Sequence, residues 1–316
     1  MRNSDKYAHS IGRVRVRENF MMDEQKLARL VDAPDMKEAV RILAECRYVE
    51  DEDYMTMLYN EQKSLYAYMR EILPDTKIFD AFFLKFDIHN LKVLLKAEFL
   101  KKPYDEIALD TGVYKYEELK EWLHNRDFSH LPEDIAQAVQ LSMEEFLKTN
   151  DPQLIDLIMD KAYYTYFNRI MEKTYDRFLK DFKVIQTDLM NLKAFMRIKK
   201  VFRKEQFLNY AIIPGGSVKP EDYVMLFSAD EENFRKFLKQ TPYASVFEKG
   251  DIEKNSDDYI MTFLRKHRYE PLGISPVIGY MLGKETEIKN ARITMIGKAN
   301  RISRERTKER LRMCYV

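Results

Sequence analysis

Asp87-Ile88-His89-Asn90-Leu91-Lys92, Asp188-Leu189-Met190-Asn191-Leu192-Lys193 and Glu287-Ile288-Lys289-Asn290-Ala291-Arg292 are three versions of one phrase. Each reads acid, aliphatic, any residue, Asn, small or Leu, base. The asparagines stand 101 and then 99 residues apart. A period this regular marks a repeated structural unit. Two weaker markers recur with it. Lys115-Tyr116-Glu117-Glu118-Leu119 resembles Lys219-Pro220-Glu221-Asp222-Tyr223, and Arg15-Val16-Arg17-Glu18 opens a comparable stretch 100 residues before Lys115. Leu30–Asp35 has its counterpart in Leu226–Glu231. The 316 residues are therefore expected to hold three similar helical repeats of about 100 residues, over 1–113, 114–217 and 218–316.

The phrases fall within helix-length segments. Helices are expected over Asp23–Leu30, Met36–Cys46, Met55–Ile72, Ile78–Lys101 (stopped by Pro103), Tyr116–His124 and Glu133–Lys148. Further helices are expected over Gln153–Arg203, Ala229–Lys239, Asp257–Arg268, Val277–Lys298 and Ser303–Met313. Gln153–Arg203 is too long for one globular helix and should contain a break. Tyr210–Pro214 is the only short apolar run that reads as a strand.

On a helix, Phe79, Phe83, Phe86, Asn90, Val93 and Ala97 share one stripe. An apolar stripe with one amide is a packing seam, and its buried Asn needs partners. Asp87, one turn earlier, is within reach. In the third copy the stripe is Gly279, Gly283, Thr286, Asn290, Ile293 and Gly297, small enough for another backbone to approach. The repeated positions Asn90, Lys92, Asn191, Lys193, Asn290 and Arg292 either fix helix register inside each unit or face a shared axis or a partner.

Composition agrees with an all-α fold. Nine glycines in 316 residues is under half of average usage, and little is left for hairpins or phosphate loops. With 45% hydrophobic and 33% charged residues, and 20 Tyr, 19 Phe and 17 Met, the chain can bury a core and stay soluble. The longest stretches free of charged residues, Gln206–Val218 and Pro271–Gly283, have 13 residues each, against about 20 for a spanning helix. Met1–Ser10 lacks an apolar run, so no signal peptide is expected. The two cysteines, Cys46 and Cys314, fit a reducing compartment better than a disulfide framework.

Signals for catalysis are poor. There is no G-x-x-x-x-G-K-[ST], no G-x-G-x-x-G and no G-x-S-x-G. The five histidines are scattered, without metal-ligand spacing, and no cofactor or metal site is expected. Carboxylate pairs such as Asp51/Asp53 read as solvated faces. Charge is segregated: residues 284–316 carry a net +6, residues 1–17 a net +4, and the 266 between them −9. Basic ends on an acidic body point to different partners at different faces, with Arg304, Arg306 and Arg310 as docking candidates. On composition alone a helical scaffold comes first, an RNA-binding protein with basic termini second and a helical enzyme third. Exposed stacking aromatics are lacking near the basic C-terminus, which argues against RNA.

The C-terminus carries a more specific signal. Pro276-Val277-Ile278-Gly279-Tyr280, Glu287-Ile288-Lys289-Asn290-Ala291-Arg292, Gly297-Lys298 and the closing Arg310-Leu311-Arg312-Met313-Cys314-Tyr315-Val316 resemble the C subunits of prokaryotic V-type (A/V-type) ATPases, the counterparts of the eukaryotic d subunits. Tyr7, Arg13-Val14-Arg15, Glu18 and Leu30–Tyr48 resemble the opening of that family. Gly279 and Gly283 stand where it more often has Ala, Leu or Arg, Cys46 where Thr is usual, and Arg301-Ile302 where Gly-Leu is common. The resemblance implies three similar helical domains in a pseudo-threefold funnel with no active site. It implies a rotor component joining the D/F axle to the membrane proteolipid (c/K) ring and passing torque between ATP turnover and proton or sodium transport. The chain would sit at the cytoplasmic face of the cell membrane without spanning it, be monomeric when isolated and bind no nucleic acid.

Overall fold

The structure, a computed structural model, describes residues 6–74, 76–102, 104–248 and 250–316, apart from the side chains at 76 and 105. Among these residues there is no strand. The helices are α1 (Ala8–Glu18), α2 (Glu24–Asp32), α3 (Met36–Glu45), α4 (Tyr54–Ile72), α5 (Thr76–Leu100), α6 (Tyr116–Asn125), α7 (Glu133–Thr149) and α8 (Pro152–Glu172). They continue as α9 (Arg177–Arg197), α10 (Leu208–Ala211), α11 (Pro220–Phe227), α12 (Glu231–Lys239), α13 (Ala244–Glu248), α14 (Ile252–Lys266), α15 (Ser275–Ala299) and α16 (Arg304–Arg310). A π-helical turn, Ile198–Phe202, extends α9.

Aspartate sets where many helices begin. Asp23, Asp35, Asp53, Asp151, Asp176, Asp230 and Asp251 each sit at an N-cap in extended backbone and accept from first-turn N–H groups. Those groups have no partner within the helix, so a carboxylate there stabilises the end. Asp176 makes the expected break in Gln153–Arg203, between α8 and α9. Asp53 also corrects the reading of the Asp51/Asp53 pair as merely solvated: it caps α4 through Met55 N and Thr56 N, and Asp51 accepts from Asp53 N.

Cations close several helices in place of glycine. Arg47, Lys101, Arg126, Arg203 and Arg301 all take positive φ just beyond helix ends. Glycine is the usual residue in that conformation. In this glycine-poor chain a base stands there instead, and its charge offsets the carbonyl end of the helix.

The run Tyr210–Pro214 is not a strand: it spans the end of α10 and an extended segment with no ladder partner. α1, α11 and α13 are not marked by apolar periodicity. Pro103, the expected stop after α5, lies outside the described residues.

The chain divides into two compact units, Met1–Pro74 with Pro242–Val316, and Asp75–Thr241. In the first, α15 is the central helix, packed by α1, α2, α3, α4, α14 and α16. In the second, α8 lies against α5, α7, α9 and α10. Phe82 of α5 meets Phe167 of α8 edge-on at 4.9 Å, and Phe182 of α9 joins them. The expected stripe is buried from Phe79 to Val93, and for this reason the burial of α5 extends beyond it. Ala81, Phe82, Leu84, Ile88, Leu91 and Leu95 are buried along with Phe79, Phe83, Phe86 and Asn90. From Phe79 to Lys96 only Asp80, Lys85, His89, Lys92 and Lys96 are half-exposed, so α5 serves as a core helix.

Candidate functional site: three asparagine helices and what they hold

Each repeated asparagine is buried and makes the same pair of bonds to one downstream residue. Asn90 Nδ2 donates to Leu109 O at 2.7 Å, and Leu109 N donates to Asn90 Oδ1 at 2.8 Å. Asn191 does this with Ile213, at 2.8 and 2.8 Å. Asn290 does it with Arg312, again at 2.8 and 2.8 Å. A primary amide facing an extended residue offers one donor and one acceptor, which matches the N–H and C=O of that residue. Asp87 is therefore not the partner of Asn90, as helical spacing suggests.

The acid three residues earlier holds the chain a little further on. Asp87 accepts from Val113 N and Tyr114 N, at 2.7 and 3.1 Å, just before α6. Asp188 accepts from Ser217 N and Val218 N, at 2.8 and 3.3 Å, just before α11. Glu287 accepts from Met22 N at 2.7 Å, just before α2. By this pattern Met22–Asp23, not Arg15–Glu18 inside α1, occupies the place of Tyr114–Lys115 and Val218–Lys219.

Glycine follows the acid. A Cβ on Gly112 would lie 2.1 Å from Asp87 Oδ1, and one on Gly216 would lie 2.2 Å from Asp188 Oδ1. Where the position is Phe20, the acid is Glu287, one methylene longer than aspartate.

A third point of contact lies eight residues after the asparagine. Lys199 Nζ donates to Leu226 O at 3.0 Å and also reaches Ala229 O, closing the end of α11. Lys298 Nζ donates to Val31 O and Ala33 O, at 2.9 and 2.6 Å, closing the end of α2. In the first copy the polarity is exchanged: Glu98 pairs with Arg126, the residue that ends α6. The acid, the Asn and the third residue (a base in two copies, Glu98 in the first) lie along one helix face and grip a connecting segment and both ends of the short helix that follows it. Sequence reading misses the third point, although Gly297-Lys298 is visible in the motif.

The bases two residues after each Asn differ. Lys92 pairs with Asp160 of α8 at 2.7 Å. Lys193 is half-buried and engaged within the chain. Arg292 has a buried Nε with no hydrogen-bond partner.

The third copy has further fastenings. Gly279 and Gly283 admit not a backbone but the Tyr315 side chain: a Cβ on either would lie within 2.5 Å of it. Met313 N donates to Asp258 at 2.6 Å, and Arg312 Nε donates to Asp257 at 3.0 Å. Lys284 is 4% exposed and bridges Glu287 and Glu61, at 2.6 and 2.9 Å. Burial alone would lower the pKa of this ammonium, but Glu287 and Glu61 outweigh it and hold the pKa above the ordinary lysine value. Cys46 and Cys314 are free, and burial pushes each thiol up to about 12.

The basic ends separate into two kinds. Arg13 pairs with Glu71 and Arg15 with Glu18. Arg304, Arg306 and Arg310 lie exposed on α16 with no ion pair among the described residues. The described residues hold no cluster that could bind a metal ion and no helix long and apolar enough to cross a membrane.

The ATP synthase (C/AC39) subunit family matches residues 10–310. The chain belongs to that family. The C subunit of the V-type sodium ATPase of Enterococcus hirae is 29% identical over 84% of this chain and 84% of its own length. The C subunit of the A-type ATP synthase of Methanocaldococcus jannaschii is 24% identical over 95% of this chain and 84% of its own. That of Pyrococcus furiosus is 23% identical over 96% and 89%. As a C/AC39 family member the chain is a non-catalytic component of a rotary ATPase, a membrane-associated complex.

Proposed function

We propose that this chain is the central-stalk coupling of its ATPase, joining the D/F axle to the membrane proteolipid ring and passing torque for ATP-coupled proton or sodium transport. It would do so from the cytoplasmic face of the membrane, as three similar units about a pseudo-threefold axis. The observation that carries this reading is Glu287 holding Met22. The first and second asparagine helices each hold the start of the next repeat, and the third holds the start of the first. A tie from the last copy back to the start of the first is the kind of connection that a collar would use.

On this reading the repeats begin near residues 23, 115 and 219. Asn90, Asn191 and Asn290 serve partners indirectly: each is engaged by backbone and keeps the segment beside it in place. A coupling must be stiff, and buried amides with two bonds each favour a single arrangement. Arg304, Arg306 and Arg310 are exposed cations suited to docking.

The test is reconstitution of the purified chain with D/F and with detergent-solubilised proteolipid ring. Binding both at once, with ATP-driven rotation of the ring lost when the chain is left out, is the expected result. Binding to neither, or recovery of nucleic acid instead, overturns the reading.

A further inference from the structure

The three asparagine helices end in one chemistry. Lys101, eleven residues after Asn90, has φ 51°, and Arg301, eleven after Asn290, has φ 53°. Arg203, twelve after Asn191, has φ 54°. The additional residue in the middle copy is absorbed by the π-helical turn Ile198–Phe202, since a π turn is an α turn with one residue inserted. Near each left-handed base stands an exposed aliphatic: Leu100 is 38%, Val201 58% and Ile302 41% exposed. Lys102, Lys204 and Arg304 add exposed charge.

The middle end is the most developed. Arg197, Lys200, Arg203 and Lys204 are exposed, and none has a carboxylate partner among the described residues. No acid interrupts Arg197–Lys204. Lys199 ties the turn to the end of α11, where Met225 is 69% exposed. Phe202 packs against Phe207 with ring centroids 4.6 Å apart and a 34° tilt, so its ring is engaged within the chain and not free for a nucleic-acid base.

We propose that the turn Arg197–Lys204 binds the headgroup layer of an anionic phospholipid bilayer. Unpaired cations around an exposed aliphatic match a surface that is charged outside and apolar beneath. The inference rests on the preceding reading only in requiring a membrane within reach of the assembled chain.

The experiment is co-sedimentation of the purified full chain with vesicles of phosphatidylcholine plus phosphatidylglycerol, and of phosphatidylcholine alone. The expected result is salt-sensitive binding to the anionic vesicles only. Each cation near such a surface contributes about fivefold in partition, so the combined Lys200→Gln, Arg203→Gln and Lys204→Gln variant loses on the order of 100-fold. Val201→Ser loses less, with unchanged circular dichroism for both variants. Equal partition of the triple variant and the parent, equal binding to neutral vesicles, or preference for single-stranded RNA over vesicles overturns the proposal. Assembly with D/F and the ring in detergent, without bilayer, separates the two readings. Assembly with no vesicle binding removes only this one, and vesicle binding with no assembly removes only the rotor role.

Discussion

α9 and α15 make the same three kinds of contact on very different chain. α9 holds Ile213, Ser217 and Leu226, which follow it in one unbroken run. α15 holds Arg312 near the last residue, then Met22 and Val31 near the first. Where the chain is continuous, the connecting segment is confined by its own covalent bonds. Where it is not, every restraint must be non-covalent, and restraints accumulate there: the Tyr315 notch, the Asp257 and Asp258 contacts and the buried Lys284 bridge. One geometry needs more reinforcement where the backbone does not help.

The largest test of that comparison is to remove reinforcement from α15. Tyr315→Ala should cost about 3–5 kcal/mol in urea unfolding, as expected for a buried aromatic. Lys284→Met should cost about 3–5 kcal/mol, because Glu287 is left buried, and Glu61 partly buried, without their cation. Since the Lys284 pKa is raised in the folded state, its contribution is complete below the unfolded lysine value of about 10.4 and is lost as pH climbs through the folded one. The parent should weaken at high pH and Lys284→Met should show less of that loss. Little change in either variant would mean the extra contacts are incidental.

Next come the asparagines themselves. Asn90→Leu, Asn191→Leu and Asn290→Leu should each cost about 1–3 kcal/mol per backbone group left unpaired. Limited proteolysis should then release the C-terminal residues only in Asn290→Leu. Equal protection of the terminus in all three variants would break the comparison.

Smaller effects sharpen it. Gly112→Ala and Gly216→Ala should cost about 1–3 kcal/mol each, because the new methyl overlaps the clamping aspartate. Gly12→Ala, with nothing within 4 Å of the new Cβ inside α1, should instead stabilise by about 0.5–1 kcal/mol. Cys46 and Cys314 should resist alkylation near neutral pH in the folded chain and react once it is unfolded, since thiols raised to about 12 carry almost no thiolate there.

The all-α fold and the period of the asparagine helices are legible because both are written in local spacing. The partners of the asparagines are not. Leu109, Ile213 and Arg312 have nothing in common as side chains, because what Asn binds is their backbone. Lys284 reads as one more base in a basic terminus, and only the fold brings Glu61 to it. Gly112 and Gly216 are present as a clue, each 25 to 28 residues after its aspartate, but a glycine shows a close approach only once the approaching atom is known. Helices as short as α11 and α13 lie below the length at which apolar periodicity speaks.

The joining of chain start to chain end by α15 also sets an order of events during synthesis. Asp75–Thr241 can close its contacts while translation proceeds. The first 74 residues cannot be completed until α15 and the last residues have left the ribosome. At about 5–20 residues per second that delay is roughly 10–50 s, during which α2, with Leu27, Leu30 and Val31, has α3 beside it but lacks α15 and α16. A nascent N-terminal segment of this kind is a natural client for a chaperone, and a chain that loses its final residues forfeits the beginning of its structure along with the end.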